Sequence, residues 1–202
     1  TYYFFIIMSP VGPYYAEGFN PTKIFVTDEY VRAVKGGVGH VKTCGNYAAS
    51  ILATEGAIKK GYTQVLWLDA IERKYIEEVG TSNIFFKTEK ELITPSLEGS
   101  ILSGITRDSV MKLATDWGID VIERKISIDE VVEGCKDGSL KEVFATGTAA
   151  VISPVGEFCY KGEDYQINNG ETGELAQRMF DGLQAIQNGD AEDPHKWSVR
   201  VG

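Results

Sequence analysis

Gly36-Gly37-Val38-Gly39-His40-Val41-Lys42-Thr43-Cys44-Gly45-Asn46-Tyr47 is the stretch whose reading decides the rest of the chain. It comes within one residue of the phosphate-binding loop pattern G-x-x-x-x-G-K-[ST], and the failing position is Val41. That loop needs glycine beside its lysine because the backbone must wrap a phosphate in a conformation that a β-branched residue resists. Leu66-Trp67-Leu68-Asp69 imitates the apolar strand and acidic end that hold magnesium in such enzymes, so a P-loop-like nucleotide hydrolase is a genuine rival reading. Three features count against it: Val41 itself, the lack of a strand pattern running directly into Gly36, and two further phosphate-type turns downstream, which one nucleotide does not need.

Working outward, 23–27 reads as a strand, and 47–60 as a helix closed by Gly61, with Tyr47, Ile51, Ala57 and Ile58 at roughly helical spacing. The unbroken apolar run Gln64-Val65-Leu66-Trp67-Leu68 suits a strand buried on both faces. Strand patterns follow at 83–86 and 91–94. A helix is expected over 106–117, stopped by Gly118, then a strand at 121–126 and a short helix at 129–133 capped by Asp129. Phe144, 149–152 and 158–160 read as strands around small-residue turns, and 172–186 as an amphipathic helix. The polar tail from Asn188 is expected to be loosely held. Before all of these, Tyr2 to Met8 is apolar but far shorter than the ~20 residues of a membrane span, and reads as a buried strand that leads into a turn at 9–13. The chain starting on such a strand suggests that it continues upstream. Strands and helices mix without strict βαβ alternation, which predicts an α+β, mixed-sheet domain spanning 1–202.

Net charge is -9, from 20 basic and 29 acidic residues, and the few basic pairs, such as Lys59-Lys60 and Arg124-Lys125, are too sparse to track nucleic-acid phosphates. No membrane association is expected. Cys44, Cys135 and Cys159 show no spacing that grips zinc or forms a redox pair, so no metal site is expected and a reducing, cytoplasmic compartment fits best. His40 and His195 have no partner spacing for a metal or a triad.

Lys42-Thr43-Cys44-Gly45-Asn46-Tyr47, followed by Glu78-Val79-Gly80-Thr81-Ser82-Asn83, by Gly104-Ile105-Thr106-Arg107 and by Gly147-Thr148-Ala149, with Tyr30-Val31-Arg32-Ala33 ahead of the lysine, resembles the fold-type IV (class IV) aminotransferases. Their branched-chain amino-acid members are the most similar. The resemblance implies the mixed-sheet large domain of the D-amino-acid aminotransferase-like fold and the cofactor pyridoxal 5'-phosphate. It further implies that Lys42 holds the cofactor as a Schiff base and, once displaced by substrate, shuttles the α-proton. For that the amine must be neutral, which favours a desolvated site. By the same resemblance Glu78 contacts the pyridine nitrogen and keeps the ring protonated, and Tyr47 hydrogen-bonds its phenolic oxygen. Arg32 and the backbone amides of Ile105 and Thr106, at a helix start, hold the phosphate. Thr148 and Ala149 receive the substrate carboxylate.

The activity implied is transamination of leucine, isoleucine or valine with 2-oxoglutarate, in a homodimer whose smaller N-terminal domain is missing from this chain. D-amino-acid transaminases and aminodeoxychorismate lyases share the lysine and glutamate, but the Gly-Asn-Tyr and Tyr-Val-Arg-Ala segments favour the branched-chain group. Every motif position carries a chemically competent residue, which disfavours a decayed binding domain. Some branched-chain members carry Cys-x-x-Cys after the Thr-Ala turn; here those positions are Ala150 and Ser153, so thiol regulation of that kind is not expected. Cys44 is expected to serve packing.

Overall fold

Two successive parallel crossovers and a series of hairpins build the molecule, which is seen in a computed structural model describing residues 2–10, 12 and 18–200. Strand β1 (Thr22–Thr27) leads through helix α1 (Cys44–Lys59) to β2 (Gln64–Leu68), which pairs with it in parallel. Then come β3 (Ile76–Val79), β4 (Asn83–Thr88) and β5 (Glu91–Thr94), followed by α2 (Ile105–Asp116) and β6 (Asp120–Glu123), parallel to β5. Helix α3 (Ile128–Asp137), strands β7 (Leu140–Gly147), β8 (Val151–Tyr160) and β9 (Glu163–Gln166), and helix α4 (Glu174–Asn188) complete the order. All nine strands form one sheet, in the order β3-β2-β1-β8-β7-β4-β5-β6 with β9 against β8. It is the mixed α+β sheet expected. The sheet curls enough that Ile76 N–H reaches Ile126 O at 2.9 Å and Ile128 N–H reaches Lys74 O at 2.9 Å, joining the chain beyond β6 back to β3.

Alternation along the strands sorts their side chains onto two faces. Leu66, Leu68, Ile84, Phe86, Val143 and Ala145 point to the face covered by Ile128 and Val131 of α3. From the other face, Phe85 and Phe144 meet Val110 and Leu113 of α2 and Met179 and Leu183 of α4, their rings stacked with centroids 5.4 Å apart. Val65 and Trp67 meet Ala53 and Ala57 of α1. Each fully buried Val, Leu, Ile, Phe or Met among them contributes about 1.5–3 kcal/mol through removal of apolar surface from water. Trp67 also donates its indole N–H to Gly80 O at 2.9 Å, so this core residue fixes the turn that follows β3.

Several local expectations are corrected. Residues 2–8 lie outside every strand, with side chains at least 72% exposed, because an apolar run becomes a strand only where a partner edge is supplied, and no pairing reaches it among the described residues. Val11 and Pro13 of the turn expected next lie outside the described residues. Helix α3 starts earlier than expected: Ser127, not Asp129, is its cap, accepting from Glu130 N–H at 3.1 Å. The segment Ser153-Pro154-Val155-Gly156 is not a turn but the middle of β8. Proline is tolerated there because the β1 ladder begins at Thr22 opposite Val155 and does not extend to Pro154, whose carbonyl accepts from the Thr22 hydroxyl at 3.0 Å. Nor is the tail loose. His195 bonds Asp116 at 2.7 Å and stacks on Trp197, which packs against the α2–α4 core. Cys44 is exposed at the start of α1 and does not serve packing. No helix among the described residues is long and apolar enough to cross a membrane.

Candidate active site

The hub of the site is the tight turn between β3 and β4. Gly80 takes φ +55, a conformation that favours glycine, and Val79 and Ser82 bridge across the turn. Three motifs meet this hub. The start of α2 lies against Asn83, whose amide donates to Leu102 O at 2.9 Å and whose Oδ1 sits beside Gly104. The Thr148-Ala149 turn between β7 and β8 lies on its other flank, because Asn83 pairs with Thr146 and Gly147 lies against the Ser82 hydroxyl. Glu78, in β3 two residues before Gly80, sits in a cleft with Tyr47, Arg32 and Val41.

The glycine-rich stretch forms one wall of that cleft. Asn46 pins it, donating its side-chain amide to Val38 O and to Val41 O, each at 2.9 Å. Val41 lines the cleft, and Tyr47 reaches it from the first turn of α1. Lys42, expected in a desolvated site, is exposed in this chain, just before α1. As folded, the cleft encloses about 10 Å³.

Glu78 is 2% exposed. Its Oε1 accepts the Leu102 N–H at 2.8 Å, and its Oε2 lies 3.0 Å from Arg32 Nε. Burial pushes its carboxyl up to about 7, opposed by the Arg32 guanidinium and the Leu102 N–H and reinforced by Glu77. Glu77, on the opposite side of the strand, is also raised by burial, against a hydrogen bond from the Ser100 hydroxyl. Both carboxyls therefore hold protons more tightly folded than unfolded, and stability falls as pH rises from about 4.5 to about 7. Thermal melts are expected to give a higher Tm at pH 5.5 than at pH 7.5, and Glu78→Gln is expected to shrink that difference. An unchanged difference would remove Glu78 from the account.

Arg32 was expected at the phosphate. Besides facing Glu78, it donates Nη2 to Gly39 O at 3.1 Å and to Ser100 O, so its guanidinium is committed to one carboxylate and two carbonyls. Ile105 and Thr106 begin α2, whose N-cap Gly104 offers no side-chain cap, leaving the first-turn amides to an anion. Asp69, which imitated a magnesium ligand, accepts the backbone N–H groups of Ile71, Glu72, Lys74 and Tyr75 and so folds its own loop. Among the described residues no cluster of histidine, cysteine and carboxylate side chains could hold a metal. Sequence reasoning missed Asn46, Asn83, Ser100 and Leu102 as organisers of the site. The first two stood inside quoted motifs, while Leu102 acts through backbone groups that carry no sequence signal, and Ser100 acts through its carbonyl and through a hydroxyl whose partner, Glu77, only the fold supplies.

A buried carboxylate, a phenol, an amine on a neighbouring loop and an uncapped helix start suit a phosphorylated pyridine aldehyde, and the comparisons agree with that chemistry. The family model "Amino-transferase class IV" matches residues 1–158, and the chain belongs to that family. It is 58% identical over 201 residues to branched-chain-amino-acid aminotransferase 2 of Bacillus subtilis, covering 100% of this chain and 55% of that protein. To the probable branched-chain-amino-acid aminotransferase of Staphylococcus aureus it is 57% identical, over 99% of this chain and 56% of that protein. The chain thus spans about half the length of the curated relatives it matches. Among solved structures, the branched-chain amino acid aminotransferase of Escherichia coli superposes with TM-score 0.76 at 31% identity, covering 88% of this chain and 56% of that one. A T.th. branched-chain amino acid aminotransferase complexed with N-(5'-phosphopyridoxyl)-L-glutamate gives TM-score 0.76 at 28% identity, covering 88% of this chain and 55% of that one.

Proposed function

We propose that the protein is a pyridoxal 5'-phosphate-dependent transaminase of leucine, isoleucine and valine, with 2-oxoglutarate as amino acceptor and branched 2-oxo acids and L-glutamate as products. The observation that carries this reading is the convergence on one β3–β4 turn of a buried carboxylate, an uncapped helix N-terminus and the Thr148-Ala149 turn, beside the loop that carries Lys42. When bound, the cofactor supplies an electrophilic carbon and an electron-withdrawing ring. Lys42 would attach it through Nζ and, when released, accept and return the substrate's α-proton. Glu78 would accept a hydrogen bond from the ring nitrogen, Tyr47 would donate one to the phenolic oxygen, and the Ile105 and Thr106 amides would hold the phosphate. The Thr148 and Ala149 amides would orient the substrate carboxylate. The names of the relatives support the branched-chain substrates. In this reading the working enzyme is a cytoplasmic homodimer, and a smaller domain completes its phosphate and side-chain pockets.

The test is to supply the protein and pyridoxal phosphate with 2-oxoglutarate and each amino acid in turn and to measure L-glutamate. Glutamate is expected from leucine, isoleucine and valine and not from D-alanine. Production of D-glutamate from D-alanine, with branched-chain substrates inert, would overturn the assignment in favour of a D-amino-acid transaminase.

A further inference from the structure

Arg32 lies in the link between β1 and α1, and Ser100 in the link between β5 and α2, far apart in sequence and in links that leave well-separated strands. The arginine joins them. Its side chain is 7% exposed, its Nη2 donates to the Gly39 and Ser100 carbonyls, and its Nε faces Glu78 Oε2 at 3.0 Å. That Nε is buried and makes no well-aligned hydrogen bond elsewhere, so its interaction with Glu78 is chiefly one of charge. With Leu102 N–H on the other carboxylate oxygen, Glu78 is gripped from two sides, and each oxygen retains a second lone pair that can face the cleft. A guanidinium so placed does two things. It favours the ionised carboxylate against burial, and it locks the glycine-rich wall to the loop that leads into α2.

We propose that Arg32 is a positioning residue of the site: it keeps Glu78 ionised and aimed at the ring nitrogen of a pyridine cofactor, and does not itself bind the cofactor's phosphate. This rests on the cofactor reading above, and the experiment separates the two. Binding of pyridoxal phosphate, and of pyridoxal without its phosphate, is measured by absorbance titration of the wild type and of Arg32→Met, Arg32→Lys, Glu78→Gln and the Arg32→Met/Glu78→Gln pair. Arg32→Met is expected to weaken both ligands by a similar factor, about 10- to 100-fold, as for loss of a charged hydrogen-bond partner. It is expected to add much less in the Glu78→Gln background, since the residue it acts through is already altered, and what it still adds, through the wall it locks, falls equally on both ligands. Arg32→Lys is expected to restore part of the loss, and melting curves show which variants are folded. If Arg32→Met does not fold, Arg32→Lys against wild type gives the same two-ligand comparison.

A second readout needs no cofactor. In the wild type at pH 8.5 the protonated-carboxyl infrared band of Glu78, identified by its loss in Glu78→Gln, is expected to be weak, and in the Arg32 variants strong. A loss confined to pyridoxal phosphate that persists in the Glu78→Gln background would mean a phosphate contact and overturn the inference while leaving the transaminase reading intact. Failure of the wild type, complete with its smaller domain, to bind either ligand would overturn both.

Discussion

Lys42→Ala is expected to abolish covalent attachment of pyridoxal phosphate. Purified wild-type protein given the cofactor should develop a visible absorbance band that borohydride bleaches, and digestion should then recover the label on Lys42. The variant should show only the spectrum of free cofactor and take no label. The expectation is all-or-none because it rests on one nucleophilic amine, whereas the remaining contacts are hydrogen bonds to charged groups, each contributing about 1.5–3 kcal/mol. Those contacts predict what survives: Glu78 and the α2 amides are unchanged, so the variant should still bind pyridoxal phosphate reversibly. Lys42 is exposed as folded, and the wall that carries it is held by Asn46 through the Val38 and Val41 carbonyls. Label found on another lysine would reassign the centre of the site, and label found nowhere would remove it.

How much of this was legible in the sequence follows from how each element carries its information. β2 was legible because Val65, Leu66, Trp67 and Leu68 are all apolar and all buried. β3 was not, since Ile76-Glu77-Glu78-Val79 puts two carboxylates where a pattern rule expects solvent, and both are buried. Their burial depends on Arg32 and Ser100, which lie far from them along the chain and reach the two carboxylates only through folding. The cap of α3 was available and overlooked: Ser127 followed by Glu130 three residues later is a capping-box pattern, stronger than the isolated Asp129. The motifs of the site were legible as residues and in their order. Their mutual distances were not, because the Ser82-Asn83 hub that brings the 104–106 and 147–149 turns together is a property of sheet register. The role of Arg32 shows the same limit: an arginine near a glycine-rich loop suggests an anion ligand, and only the fold reveals that the anion is Glu78.

Gly39→Ala is expected to damage both the fold and the site, and it separates sterics from chemistry because it removes no functional group. A Cβ at Gly39 would stand 2.3 Å from Ser100 O and 2.4 Å from Ala33 Cβ, inside van der Waals contact with backbone on one side and a short, rigid side chain on the other. Neither can rotate away, so the two loops must part. The parting falls on the carbonyls of Gly39 and Ser100 that Arg32 bonds, and through Arg32 on Glu78. Overpacking of this kind costs about 1–3 kcal/mol. For a chain of this size each kcal/mol lowers Tm by about 2–4 °C, so a fall of about 2–12 °C is expected. Pyridoxal phosphate binding should weaken along with it. Gly45→Ala is the control: it lies in the same motif, on α1, where an added Cβ meets nothing within 4 Å, so the substitution should hold or raise Tm by favouring helix. If Gly39→Ala melts like the wild type, the close approach of the two loops is not what holds the wall, and the route from that wall through Arg32 to Glu78 carries no strain. If Gly45→Ala loses as much as Gly39→Ala, the whole motif is intolerant of side chains, and the steric contact at Ser100 is not the cause.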